Sequence, residues 1–115
     1  MTASSHAPAA IPSEQLADLK AALDEQANFR REQIVQLDRA PTPSAPVSPT
    51  HELINRTIRV GAHRALDEVL AAQRRLAAGT YGVCVRCGER ISMDVLEVLP
   101  AAAECVVCRE LAASG

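Results

Sequence analysis

Four cysteines, arranged as two Cys-x-x-Cys pairs, constrain this chain more than any other feature. Cys84/Cys87 and Cys105/Cys108 are separated by seventeen residues, and they are all the cysteine in the 115-residue sequence. A two-residue gap lets two thiolates converge on one ion, and a loop of this length carries the second pair to the far side of a tetrahedron. Gly88 follows the first pair, where a knuckle turn needs positive φ. Arg109 takes the equivalent place after the second pair, so that knuckle is expected to open a helix. Cys84, Cys87, Cys105 and Cys108 are thus candidate metal ligands, and one Zn²⁺ is the ion expected. Two disulfides would suit a small exported domain, but no basic segment followed by an apolar run marks this chain for export. A thioredoxin-type motif would sit near a βαβ pattern, which is absent. Iron suits a four-sulfur cage as well as zinc does, and spacing alone does not separate them. Four thiolates leave no open position for water or substrate, so the ion reads as structural.

Composition agrees with a metal standing in for part of a core. Apolar residues make up 48% of the chain, yet aromatic residues only 2%, Phe29 and Tyr81, and much of the remainder is alanine. Such a chain suits helices packed closely in pairs better than a globular core. Structural zinc contributes about 10–16 kcal/mol of apparent binding free energy, much of it realised as folding, so its removal is expected to unfold the C-terminal third. The formal net charge is −2, and the thiolates make the metal-loaded chain more negative still. Global attraction to nucleic acid is therefore not expected. No apolar stretch approaches the length of a membrane span, and a cytoplasmic location is expected.

In chain order, residues 1–12 are small, rich in proline and alanine and almost uncharged, and are expected to be a disordered tail with His6 solvated. Ser13 is a good N-cap, with Glu14 in the first turn. From there to about Ala40, Leu16, Leu19, Leu23, Ala27, Ile34 and Leu37 recur at three- and four-residue steps, broken only by Arg30. This predicts a helix with one narrow apolar stripe. Residues 41–49 hold prolines at 41, 43, 46 and 49, and Pro41 stops the helix. Ser48 or Thr50 can cap a second helix over about 50–78, with Pro49 suited to its first turn if Ser48 is the cap. Ile58, Ala62, Ala65, Val69, Ala72 and Leu76 follow heptad spacing. Gly61 lies inside this helix, and a close approach of the partner helix would explain it. Gly79 stands at the expected helix end.

The predicted fold class is mainly α: an antiparallel helical hairpin of coiled-coil type over 13–78, about 40 Å long, with a small four-cysteine zinc-finger module over 79–115 that ends in a short helix. A two-helix hairpin buries little by itself, so the zinc module is expected to hold its base. Packing of both helices onto a second copy as a four-helix bundle is the alternative, and a monomer or a weak helical dimer is expected.

The run GTYGVCVRCGERI, followed by LEVLP and ECVVC, resembles the signature of the DksA/TraR family of four-cysteine zinc-finger proteins. The matching positions are Gly79, Tyr81, Gly82, Cys84, Cys87, Gly88, Ile91, Leu96, Glu97, Pro100, Cys105 and Cys108. They cover about thirty residues, and the hairpin upstream agrees in order and rough length. The resemblance implies a transcription regulator that binds RNA polymerase. Larger members insert a coiled-coil hairpin into the secondary channel and alter initiation without contacting promoter sequence, some together with ppGpp.

Charge placement is consistent with that implication. Residues 79–115 carry Arg86, Arg90 and Arg109 against Glu89, Asp94, Glu97, Glu104 and Glu110, whereas a DNA-reading finger would show a basic face. Arg56, Arg59, Arg64, Arg74 and Arg75 on the second helix read either as a partner-facing surface or as an ordinary solvated face, and His51 and His63 as surface residues. One departure matters. Polymerase-modulating members carry paired aspartates at the hairpin tip, whereas here Asp38 is alone and residues 41–50 hold no carboxylate. The tip is expected to act weakly or differently on initiation, or the scaffold serves another partner as a zinc-stabilised adaptor. Scattered histidines, a closed metal site and the lack of a glycine-rich phosphate loop give no basis for an enzyme.

Overall fold

The computed structural model describes residues 11–39 and 48–114. Residues 1–10 of the tail expected over 1–12, and most of the proline-rich tip, lie outside the described residues. Four helices follow in order: α1 (Ser13–Asp38), α2 (Pro49–Ala78), α3 (Met93–Val98) and α4 (Val106–Ser114). No strand forms among the described residues, and the one ladder fragment is an isolated antiparallel bridge between Val83 and Arg90. The molecule is a helical hairpin with a finger at its base. Its radius of gyration, 18.2 Å, exceeds the roughly 13 Å of a compact chain of this length.

Local chemistry sets the helix ends. Ser48 caps α2 by accepting from the His51 N–H at 3.1 Å, and Pro49 opens the first turn, where a missing N–H costs nothing. Gly79 closes α2 in the left-handed conformation. The start of α1 differs from expectation. Pro12, not Ser13, occupies the cap position, with no side-chain cap bond, and its carbonyl accepts from Leu16 N–H at 2.8 Å. The entry of the chain is fixed instead by packing, because the half-buried Ile11 lies against Gly82 of the finger.

Two cross-links set the register of the hairpin. Gln73 Nε2 donates to Asp24 Oδ1 at 2.8 Å, and Arg59 Nη2 donates to the Leu37 carbonyl at 3.1 Å while Nη1 contacts Asp38. Asp24 therefore faces Gln73 and Asp38 faces Arg59. In this register the first turns of α2, from Pro49 to Ile58, run past the end of α1 for about 15 Å. Every residue from 48 to 61 is exposed. Ile58, expected in the seam, is among them because α1 ends before it.

The buried cluster sits at the base. Leu19, Leu23 and Ala27 of α1 meet Val69 and Ala72 of α2 and Tyr81, Cys84, Ile91, Leu96 and Ala102 of the finger. Gly61 does not mark a close approach among the described residues: a Cβ built there would meet none of them within 4 Å. It lies one residue, hence about 100°, round the helix from the buried Ala62.

Candidate metal centre

The finger is organised by backbone bonds around the first cysteine pair. Cys84 N–H donates to the Glu89 carbonyl at 2.8 Å, Gly88 N–H returns to the Cys84 carbonyl at 3.0 Å, and Ile91 N–H reaches the Gly82 carbonyl at 2.8 Å. Gly88 takes the positive φ, +78°, that this turn requires. The second knuckle opens α4 as the sequence predicts, with Arg109 N–H donating to the Cys105 carbonyl at 2.9 Å. Val85 N–H joins the two knuckles through the Ala103 carbonyl at 2.9 Å. Between them lies α3, which the sequence reading missed; its cap, Ser92 accepting from Val95 N–H at 3.3 Å, was the available signal.

This scaffold brings all four cysteine sulfurs within 4.8 Å of one another. Cys87 Sγ and Cys105 Sγ are 3.7 Å apart. Tetrahedral zinc–thiolate bonds of about 2.3 Å require sulfurs about 3.8 Å apart, so the spacing suits such an ion, while a disulfide would need about 2 Å. All four cysteines are free. Backbone N–H groups already face the sulfurs: Arg86 N–H lies 3.4 Å from Cys84 Sγ, and Cys108 N–H lies 3.4 Å from Cys105 Sγ.

The thiols differ electrostatically. Burial opposes ionisation of Cys84, but hydrogen bonds from the Cys105, Cys87 and Arg86 backbones outweigh it and bring the thiol down to about 6. Cys108 is pushed up to about 12 by its hydrogen bond to Cys105, by desolvation and by the Cys87 and Cys84 sulfurs. Four thiols this close share one reservoir of negative charge, which a divalent cation would neutralise in part.

One contact closes the finger on itself and another fixes it to the hairpin. Tyr81 Oη donates to the Pro100 carbonyl at 2.7 Å in a buried setting, joining the segment before the first cysteine pair to the segment before the second. Arg75 Nη2, in the last turn of α2, lies 3.4 Å from both the Ala101 and Ala102 carbonyls. Arg86 pairs with Glu104 across the knuckles. Of the five arginines that could form a partner surface on α2, Arg59 and Arg75 are thus engaged within the chain. His51 and His63 are exposed, as expected. Asp38, the lone carboxylate expected at the tip, is held by Arg59.

A solved structure similar in fold is that of transcription factor DksA2 from Pseudomonas aeruginosa. It aligns with 88% of this chain and 79% of its own at a TM-score of 0.53, with 22% sequence identity. The chain is DksA/TraR-like in fold. At this identity the likeness with DksA2 establishes the architecture alone; the four-cysteine cluster at the base is read from this chain's own residues. No protein-family profile and no curated protein sequence matches the chain. No described helix is long and apolar enough to cross a membrane.

Proposed function

We propose that this protein is a zinc-binding regulator of transcription that acts by binding RNA polymerase through its hairpin, in the manner of DksA/TraR proteins, and not by reading promoter DNA. The observation that carries this reading is the shared architecture with a transcription factor over 88% of the chain, combined with the cysteine cluster. Cys84, Cys87, Cys105 and Cys108 hold one Zn²⁺, and its part is structural, since four thiolates fill the coordination shell. The ion and the Tyr81–Pro100 bond close the finger, while Arg75 fixes it against α2, so that the hairpin projects at a set angle. The polymerase secondary channel is the site the hairpin would enter, in the cytoplasm. Against DNA readout stand the acidic balance of the finger and the engagement of Arg86 by Glu104.

The tip gives the reading its particular character. With Asp38 tied to Arg59 and no carboxylate over residues 41–49, binding proceeds with little direct influence on the catalytic centre. That same observation favours the second reading, a zinc-stabilised adaptor with a protein partner other than polymerase. Retention of core RNA polymerase by the zinc-loaded protein, beside a Cys84→Ser variant as a folding control, separates the two. Retention by the intact protein alone supports the polymerase reading, and its absence at micromolar polymerase leaves the adaptor.

A further inference from the structure

We infer that the exposed face of α2 centred on Thr57 is a self-association surface, on which a second copy of this chain docks antiparallel about a two-fold axis. Leu53, Ile54 and Val60 are 59%, 51% and 50% exposed, although each is a large apolar side chain on a regular helix. At 100° per residue, positions 53, 54, 57, 60 and 61 share one arc. The centre of this arc, Thr57, lies about 140° and about 120° round the helix from the buried Ala62 and Val69.

The pattern on this arc is symmetric about Thr57. Leu53 and Gly61 lie four residues either side of it, and Ile54 and Val60 three residues either side. An antiparallel two-fold axis through Thr57 therefore places Leu53 of one copy over Gly61 of the other, and Ile54 over Val60, in both directions at once. Such reciprocity is what an isologous interface requires. A large side chain then meets the position where the facing helix has none, which lets the two backbones approach.

Three further observations support a second copy as the occupant. Gly61 has open space around it, so nothing among the described residues accounts for a glycine in the middle of a helix. The Thr57 hydroxyl donates to the Leu53 carbonyl at 2.8 Å, so the one polar side chain at the centre is satisfied within its own helix and turns no unmet group toward an apolar partner. Charge at the centre offers little barrier: Arg59 is paired with Asp38, Glu52 and Arg56 lie off the arc, and the exposed Arg64 falls at its end, one heptad from Thr57. One helix face of about three turns is smaller than the roughly 800 Å² per partner of a stable interface, so the dimer belongs to the weak, concentration-dependent class. Because the face lies along the reaching part of the hairpin, pairing would compete with insertion into any channel. That consequence alone rests on the polymerase reading.

Sedimentation equilibrium of the zinc-loaded full chain from about 10 µM to 1 mM tests this without polymerase. The wild type is expected to rise from 12.2 kDa toward twice that mass. Ile54→Lys is expected to stay monomeric, and Gly61→Leu likewise, with helical circular dichroism retained in both. A wild type that stays at 12.2 kDa throughout overturns the proposal, as does a Gly61→Leu variant that associates as the wild type does. A monomeric wild type whose polymerase retention drops on Ile54→Lys would assign the face to polymerase instead, and would equally overturn self-association.

Discussion

Tyr81 and Pro100 are joined by a buried 2.7 Å hydrogen bond between the phenol hydroxyl and the proline carbonyl, nineteen residues apart in sequence. It gives a physical reason for two halves of the sequence signature to occur together. The tyrosine before the first cysteine pair and the proline before the second are two ends of one contact. Tyr81→Phe should keep the ring packing and leave the Pro100 carbonyl unpaired, for a loss of about 1–3 kcal/mol. Urea unfolding at saturating zinc measures it, and an unchanged midpoint would show that water satisfies the carbonyl instead.

On the zinc reading, acidification should release the metal and open the finger. Protons and zinc compete for the same thiolates, so affinity falls as pH falls. The metal-free arrangement has the same sign through Cys84. Its depressed thiol pKa contributes stability that is complete above its ordinary value near 9 and is lost as pH drops through about 6. A chromogenic chelator and far-ultraviolet circular dichroism, followed together from pH 8 to 5, should report zinc release and loss of helix in step. Tighter zinc retention at pH 5 than at pH 8 would overturn this account.

Alanine should have opposite effects at two glycines. Gly61 is helical with nothing around it, so Gly61→Ala should raise the stability of the monomer by about 1 kcal/mol. Gly82 has φ +83°, and a Cβ there would lie 3.0 Å from Ile11 Cδ1 and 3.6 Å from Leu96 Cδ1. Gly82→Ala should therefore destabilise by more than about 1 kcal/mol, from backbone strain and crowding together. Thermal unfolding at low micromolar concentration compares them, and shifts of the same sign would contradict the packing described above.

Arg59→Ala should cost little stability, about 0–1 kcal/mol, since the ion pair with Asp38 is about half exposed on both sides. Its effect on transcription in vitro should be larger in proportion, because it frees the one carboxylate near the tip. On the polymerase reading, the variant binds core polymerase as the wild type does and changes initiation more. Equal effects of wild type and variant on initiation would remove Asp38 from the account.

The sequence carried most of this architecture because its strongest signals are local. Helix periodicity, the Ser48–Pro49 start of α2 and the Gly79 end each depend on a few adjacent residues, and the four cysteines announce their own proximity through their spacing. What it concealed is relational. Ser13 has the chemistry of a cap, yet the chain enters α1 through Pro12, because Ile11 is drawn onto the finger at Gly82, seventy-one residues away. Ile58 has the spacing of a seam residue, yet it is exposed, because whether a seam position is covered depends on where the other helix stops. Gly61 falls in the same class: its position signals a contact but not with which chain. α3 is only six residues long, too short for periodicity to register.

The placement of the core gives the molecule the mechanics of a cantilever. Large buried side chains gather where α1, α2 and the finger meet, around Leu23, Ile91 and Leu96, and α2 continues from that clamp as a single rod past the end of α1. The bending of a beam held at one end grows steeply with its free length, so thermal motion should be concentrated at the far turns of α2 and nearly absent at Val69 and Ala72. A partner that grips the free end can therefore settle its orientation cheaply, while any force it exerts is delivered as torque on the finger, at the joint formed by Arg75 and the Ala101 and Ala102 carbonyls.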